Sequence, residues 1–162
     1  MRMKLFVSLG VLTVCCLMGC SSRWGSINIP LGLPALTGPN VDPEQSRLTL
    51  VVYDYFARKM ARPYSKVFFV PYEDGDYEFI HSELPGWDFR PFSRAESAMS
   101  KGYRDKVTKE SGAILGVSHI VVEGERARAS AWHNDGAFGS YEVRLSKDPE
   151  WRVIDTSVSA VE

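Results

Sequence analysis

The C-terminal part of the chain constrains the fold most, because residues 112–158 form a continuous series of β-favouring runs. Three turn sequences separate these runs, at Gly124-Glu125, at Asn134-Asp135-Gly136 and at residues 147–150. Short β-favouring runs bounded by Gly, Asn-Asp-Gly and Asp-Pro are typical of strands joined by tight hairpins. The sequence therefore predicts an antiparallel meander that the rest of the chain covers.

Residues 126–133 alternate between two kinds of side chain, so they predict which face of the sheet is buried. One face carries the alanines Ala127, Ala129 and Ala131 together with His133. The other carries Arg126, Arg128, Ser130 and Trp132. Small side chains let a helix pack closely or leave a ligand cavity, and we expect close packing. The other face is then a solvated surface or a partner-binding stripe, with Arg126, Arg128 and Trp132 as its candidate residues because Arg and Trp are enriched at hot spots.

A long helix is predicted on the N-terminal side of the sheet. Asp42 can cap it, Pro43 suits its first position, and Gln45 completes a capping box. Apolar residues then recur at helical spacing, and Arg62-Pro63 ends the pattern. A helix over 43–61 would be about 28 Å long at 1.5 Å per residue, enough to cross a four-stranded sheet.

Shorter elements are predicted between this helix and the meander. A strand is expected over Lys66–Tyr72, a helix over Tyr77–Leu84, a second helix from the capping box of Ser93 through about Lys101, and a strand over Arg104–Thr108. The acidic residues 73–76 lack the alternation of a calcium loop, so a solvated turn is expected there.

Aromatic residues occupy the predicted loop between the two short helices. Trp87, Phe89 and Phe92 either line a ligand pocket or plug the open end of the sheet, and we expect the plug. Trp87 is also a candidate partner-binding residue.

The first residues have the features of a targeting segment. Arg2 and Lys4 precede an apolar region, and the sequence Leu17-Met18-Gly19-Cys20 follows. It resembles the bacterial lipobox, which implies a diacylglyceryl thioether on Cys20; a thiolate is nucleophilic enough to form that bond. The alternative, an uncleaved anchor, would need roughly 18 to 20 apolar residues.

Three regions follow from this interpretation: a signal peptide over 1–19, a lipidated tether over 20–41 and a domain over 42–162. The tether contains closely spaced Gly and Pro residues, which prevent regular structure, although its apolar residues also allow an ordered arm. By resemblance to lipoprotein-sorting rules, Ser21 after the cysteine implies the inner leaflet of the outer membrane, facing the periplasm.

Several classes of function are excluded or left without a motif. The net charge of -1 gives no electrostatic reason to expect nucleic acid as a partner, because nucleic-acid-binding proteins usually carry a basic surface. The sequence has no metal-ligand spacing, no Ser-His-Asp signature and no Gly-rich phosphate loop, so no catalytic residue, metal or cofactor is expected. The cysteines lie only at Cys15, Cys16 and Cys20, so the mature domain is expected to hold no disulfide.

The domain also resembles the nuclear transport factor two-like superfamily, also called cystatin-like. The resemblance is carried by residues 112–122, by Ala127 and Ala129, by Tyr141-Glu-Val and by Glu150-Trp-Arg-Val. It implies an α+β fold in which a long N-terminal helix packs on a curved antiparallel sheet. It does not imply one activity, because the superfamily includes isomerases, dehydratases, transport adaptors and immunity proteins.

Isomerases of that superfamily need a carboxylate base in an apolar cone and a donor to the oxyanion. The residue types available are Tyr53, Asp54, Tyr55, His119 and His133, and no motif sets two of them together. We therefore expect a membrane-anchored, non-catalytic binding module with a protein partner in the cell envelope. The alternatives are an immunity protein that neutralises a periplasmic toxin, an isomerase or hydratase acting on a small apolar substrate, and a carrier of a hydrophobic ligand.

Overall fold

Two α-helices pack on an open, curved sheet of eight strands in the computed structural model, which describes residues 33–60, 67–98 and 102–161. The elements are α1 (Pro43–Met60), β1 (Val67–Val70), α2 (Asp74–Glu83), β2 (Asp88–Pro91), a 3-10 turn (Phe92–Arg94), β3 (Ala95–Ser97), β4 (Tyr103–Asp105), β5 (Ser111–Glu123), β6 (Arg126–Asn134), β7 (Phe138–Lys147) and β8 (Trp151–Val161). The predicted α+β class is confirmed.

The strand order is β2-β1-β5-β6-β7-β8, and β4 pairs with β3 and with the start of β5. Strands β5 to β8 form the predicted antiparallel meander. Strand β4 is also antiparallel to β3 and β5, but β1 runs parallel to both β2 and β5. Helix α2 is the crossover that makes β1 and β2 parallel. A short apolar run such as 67–70 does not reveal strand direction, so the prediction of a wholly antiparallel sheet was wrong.

Helix α1 covers the alanine face of β6. The Asp42 carboxylate accepts a hydrogen bond from the Glu44 N–H at 2.9 Å, which caps the first turn. The buried side chains of α1 include Leu48, Val52, Tyr53, Phe56 and Ala57. The alanines Ala127, Ala129 and Ala131 are only 2 to 3% exposed in the same core. The space between α1 and this face is therefore filled by side chains, as close packing predicts.

The opposite face of the sheet carries a second, smaller core. Trp132 lies on the predicted face but is only 4% exposed, because it packs there with Val67, Phe69 and Ile114. Residues from β4 and β7 cover it, and the indole lies so close to Gly116 that a Cβ there would clash with the ring. Alternation shows which face a residue takes, but not what covers that face.

The segment after α2 differs from the sequence prediction. Instead of a helix from Ser93, a 3-10 turn leads into β3, and residues 99–101 lie outside the described residues. Glu96 binds Arg104 at 2.7 Å and Lys109 at 2.9 Å instead of capping a helix. The Ser93 hydroxyl donates to Glu73 at 2.9 Å.

Other short elements also have different limits from those predicted. The predicted loop around Phe89 is strand β2, and the acidic turn at 73–76 already contains the first residues of α2. The predicted strand over Arg104–Thr108 is β4 followed by a turn.

Residues 33–38 pack against the domain. Leu36 is 3% exposed, and its carbonyl accepts a hydrogen bond from the Ser46 hydroxyl at 2.8 Å. The Asp76 carboxylate accepts hydrogen bonds from the N–H of Leu36 at 3.2 Å and from the N–H and hydroxyl of Thr37 at 2.8 and 2.6 Å. This part of the predicted tether is an ordered arm.

The predicted signal peptide, Cys20 and the tether up to residue 32 lie outside the described residues, as do the predicted end of the first helix at Arg62-Pro63 and the first residue of the strand predicted at Lys66. Within 33–60, 67–98 and 102–161, no helix has the length and hydrophobicity needed to cross a membrane.

Candidate functional site

A groove of about 490 Å³ lies against α1, between the start of β8 and the end of α2. We call it the α1–β8 groove. Its apolar lining is Leu50, Val51, Tyr55, Leu84, Trp151 and Val153. Its charged lining is Arg47, Asp54, Arg58 and Arg152.

The groove forms because α1 and the first half of β8 lie side by side. Near the start of α1, the Glu44 carboxylate accepts hydrogen bonds from the Trp151 indole at 3.1 Å and from the Lys147 ammonium at 3.0 Å. Near its end, the Lys59 ammonium donates to the Thr156 hydroxyl at 3.5 Å. One face of α1 is buried on the sheet, so the neighbouring flank with Leu50, Val51 and Tyr55 borders the groove.

A smaller pocket of about 310 Å³ continues the groove past α2 and contains Trp87. The two share Asp54, Arg58 and Leu84 as lining residues. The Trp87 indole N–H donates to the Asp54 carboxylate at 2.9 Å, and its ring meets Phe68 edge-on at 6.1 Å between ring centres. Trp87 thus has one side against the core and one side in the pocket. The predicted candidate therefore lies at the edge of the groove.

The arginines of the groove are held by exposed ion pairs. These pairs are Arg58 with Asp54 at 2.8 Å, Arg47 with Glu150 at 3.4 Å and Arg152 with Asp148 at 3.9 Å. The hydrogen bond that Arg58 donates to the Asp54 carboxylate raises the pKa of Arg58, so this guanidinium stays charged. Exposed pairs contribute little net stability. Each arginine can therefore exchange its present carboxylate for one on a partner at small cost.

The composition of the groove is that of an interface hot spot. Trp, Tyr and Arg dominate hot spots, especially where they surround a desolvated apolar centre. The α1–β8 groove and its continuation bring together Trp87, Tyr55 and three arginines, and the largely buried Trp151 forms part of the floor. Each of the three arginines has a carboxylate partner, so an acidic segment would bind there by replacing those carboxylates.

Arg126 and Arg128 lie elsewhere, in a groove of about 610 Å³ on the outer face of the sheet. Arg128 binds Glu123 at 2.8 Å and stands directly opposite Arg144 on β7. Ile154, which is 55% exposed, also lines this sheet-face groove. The structure thus separates the predicted candidates: Arg126 and Arg128 lie on the outer face, Trp87 lies beside α1, and Trp132 is buried.

A third surface is the turn over residues 105–110, which is held by its own hydrogen bonds. Every backbone N–H from 105 to 110 donates to an acceptor in the domain, including those of Val107 and Thr108, which bind the Asp105 carboxylate at 2.8 Å. That carboxylate is fully buried and also binds Arg90 at 3.0 Å and Arg94 at 2.9 Å. Val107 projects from this rigid turn and is 75% exposed.

Of the side chains considered for catalysis, Asp54 and Tyr55 both line the α1–β8 groove, whereas Tyr53 and His133 lie elsewhere. His133 stacks on Tyr141 with 5.5 Å between ring centres, and burial lowers the pKa of this histidine. Tyr53 is buried with its hydroxyl 3.5 Å from the Leu115 carbonyl, and burial raises its pKa. Asp54 lies at the groove, bound to Trp87 and Arg58. No group of three or more His, Cys, Asp or Glu side chains among the described residues is arranged to hold a metal ion.

Comparison with known proteins gives no relative: no family model, no curated protein and no solved structure matches this chain. The cystatin-like resemblance therefore stays a prediction from residue spacing.

Proposed function

We propose that the chain is a lipid-anchored, non-catalytic binding module of the bacterial cell envelope that captures a protein partner in the α1–β8 groove. The observation that carries the binding role is the groove itself, where Tyr55 and three arginines surround an apolar floor that includes the largely buried Trp151. Such a composition supports recognition of a protein surface.

The anchor is supported by the leader sequence. Leu17-Met18-Gly19-Cys20 resembles a lipobox, and Ser21 favours sorting to the outer membrane, with the domain in the periplasm. Acyl chains stabilise membrane attachment by about 0.8 kcal/mol for each buried methylene, so two or three chains hold a protein there permanently. The partner would then be captured at the membrane surface.

A non-catalytic role is supported by the packing in the interior of the domain. An isomerase or hydratase of the resembled superfamily needs an apolar cone with a buried acid and base. Here the space between α1 and the alanine row is filled, and Leu48, Val52 and Ala129 are at most 2% exposed. The same filled space disfavours a carrier of a hydrophobic ligand.

The anchor is tested by labelling cells with an alkyne fatty acid and comparing the wild type with Cys20→Ser. We expect the label in the membrane fraction of the wild type and its loss in the variant, which should be released or remain as a precursor. A labelled, mature-size, membrane-bound Cys20→Ser protein would show that this thiol is not the acyl site.

The binding role is tested by photo-cross-linking in cells. Benzoylphenylalanine replaces Arg58 at the groove, and in a matched protein it replaces Arg126 on the outer face. We expect one protein to cross-link at position 58 and not at 126, and the product to disappear when Arg47 and Arg152 are both changed to Glu. A product that survives those two changes, or equal cross-linking at both positions, contradicts binding in the groove.

A second candidate function, neutralisation of a periplasmic toxin, is favoured by the 105–110 turn. Rigid elements bind with less entropy loss than mobile ones, and this turn presents Val107 at 75% exposure. The test is co-expression with toxins encoded beside this gene, using Val107→Glu. Protection by the wild type and not by the variant supports this function, and equal protection by both excludes the turn as the inhibitory element.

A further inference from the structure

We propose that the partner enters the α1–β8 groove as an extended strand that pairs with the outer edge of β8. This inference rests on the proposed function and adds to it the conformation and chemistry of the partner. Among the residues that the structure describes, no strand covers the outer edge of β8, this edge lies beside α1, and the groove there is lined by arginines in ion pairs.

Strand β8 is the last in the sheet order, and among the described residues it pairs with β7 alone. It is 11 residues long, so many backbone N–H and C=O groups line its outer edge. Proteins usually protect such edges with lysine, proline, bulges or short length, because an uncovered edge pairs with other strands. The sequence of β8 contains neither lysine nor proline.

The second half of β8 is the least protected part. Residues 156–161 carry no charged side chain. Val158 is 61% exposed and Val161 is 69% exposed. Two bulges interrupt the register with β7, one between Ser140 and Tyr141 and one between Arg144 and Leu145. They twist the strand but leave its apolar side chains uncovered.

The edge also lies where a strand can use the groove. Val153 and Val158 stand opposite Leu145 and Tyr141 on β7. Leu145 is buried in the core that α1 covers, and Tyr141 contacts Phe56 of α1 with 5.1 Å between ring centres. This face of β8 therefore points to the helix side of the sheet.

An added strand would lie about 4.8 Å from β8, with alternate side chains on each face of the sheet. One set would project to the helix side, where Leu50, Val51 and Tyr55 line the groove. Main-chain hydrogen bonds to β8 would supply affinity, and the groove would select the alternate side chains. The partner segment should therefore have apolar residues at every second position.

The ion pairs of the groove indicate the charge of the segment. Arg47, Arg58 and Arg152 are paired with Glu150, Asp54 and Asp148, and acidic residues that flank the apolar ones can replace these carboxylates at small cost. The occupant is therefore an acidic, alternating segment of another protein, and a second copy joined through the same edge is the outcome that the test separates from it.

The probe is a displayed library of random ten-residue peptides, selected on the lipidated full-length protein in detergent micelles. We expect selected peptides to alternate apolar residues and to carry Asp or Glu. Two N-methylated forms of one selected peptide are then compared, one methylated at the odd residues and one at the even residues. Only one set of N–H groups faces β8, so one form should lose at least about tenfold in affinity and the other should bind nearly as before.

Two variants separate the edge from the rest of the surface. Val158→Lys places a charge on the outer strand and should weaken peptide binding, whereas Val121→Lys, at a residue 49% exposed on β5, should not. Amide hydrogen exchange of β8 should slow when the peptide binds.

The experiments distinguish a wrong prediction of strand pairing at β8 from a wrong prediction of partner binding in the α1–β8 groove. If no peptide is selected, if both N-methylated forms bind equally, or if β8 exchange is unchanged, strand pairing is wrong, while cross-linking at position 58 still reports on the groove. If sedimentation shows a dimer that peptide binding dissociates, the edge belongs to a second copy and the partner proposal is overturned.

Discussion

Replacing Asp105 by Asn should destabilise the domain through the buried ion pairs of the 105–110 turn. Asn keeps the shape of the side chain but removes its charge, leaving the cations of Arg90 and Arg94 without this counter-charge. Removing one partner of a buried pair costs about 3 to 5 kcal/mol. Arg90 keeps ion pairs with Asp88 and Glu110, so we expect the lower end, about 3 kcal/mol.

The pKa of Asp105 determines how its contribution to the free energy of unfolding changes with pH. Burial by itself raises the pKa of Asp105, but hydrogen bonds from the Thr108 N–H and from Arg94 outweigh it, so the pKa lies well below its ordinary value. An unfolded Asp titrates near about 3.9. The charge of Asp105 therefore stabilises the fold above that pH, and the stabilisation is lost as the pH falls further.

The assay is urea unfolding followed by circular dichroism at a series of pH values. The stability gap between wild type and Asp105→Asn should be constant from pH 8 to 5 and should narrow below about pH 4. Asp155→Asn is the matched control, because its exposed pair with Arg144 at 3.7 Å contributes little. A gap below about 1 kcal/mol at pH 7, or one that does not narrow in acid, would refute the reasoning.

Two further variants test the packing of the outer core and the docking of the arm. Gly116→Ala places a Cβ against the Trp132 ring and should lower the free energy of unfolding, measured by thermal denaturation, by about 1 to 3 kcal/mol. Gly86→Ala is its control, because a Cβ at Gly86 meets no atom within 4 Å. Asp76→Ala removes the acceptor for the Thr37 N–H and hydroxyl, so residues 33–38 should exchange amide hydrogens faster while the stability of the sheet changes little. Unchanged exchange in this arm would contradict the role given to the carboxylate.

The meander could be predicted because its information is local. Turn sequences such as Asn134-Asp135-Gly136 lie between the strands they join, and β6 shows its buried face by alternation. The direction of β1 could not be predicted, because it depends on the crossover through α2. The capping-box pattern at Ser93 failed because Glu96 is engaged by Arg104 and Lys109, which lie in later elements.

The α1–β8 groove could not be predicted because its two walls are far apart in the chain. Arg47 and Arg58 lie three helical turns apart on one flank of α1, a spacing visible in the sequence. Nothing in that spacing indicates that Trp151 will lie across from them. For Trp132 the sequence predicted the correct face of β6. Its burial could not be predicted, because the side chains that cover it come from other strands.

The position of β1 between β2 and β5 affects the order in which its two strand pairings can form. Phe68 and Phe69 are fully buried, yet Val67 pairs with Gly112, which is made long after it. Consecutive hairpins such as β5 to β8 form within microseconds, whereas pairing between distant segments is slow. Strand β1 can therefore pair with β2 soon after it is made, but its other edge stays without a partner until β5 has been synthesised.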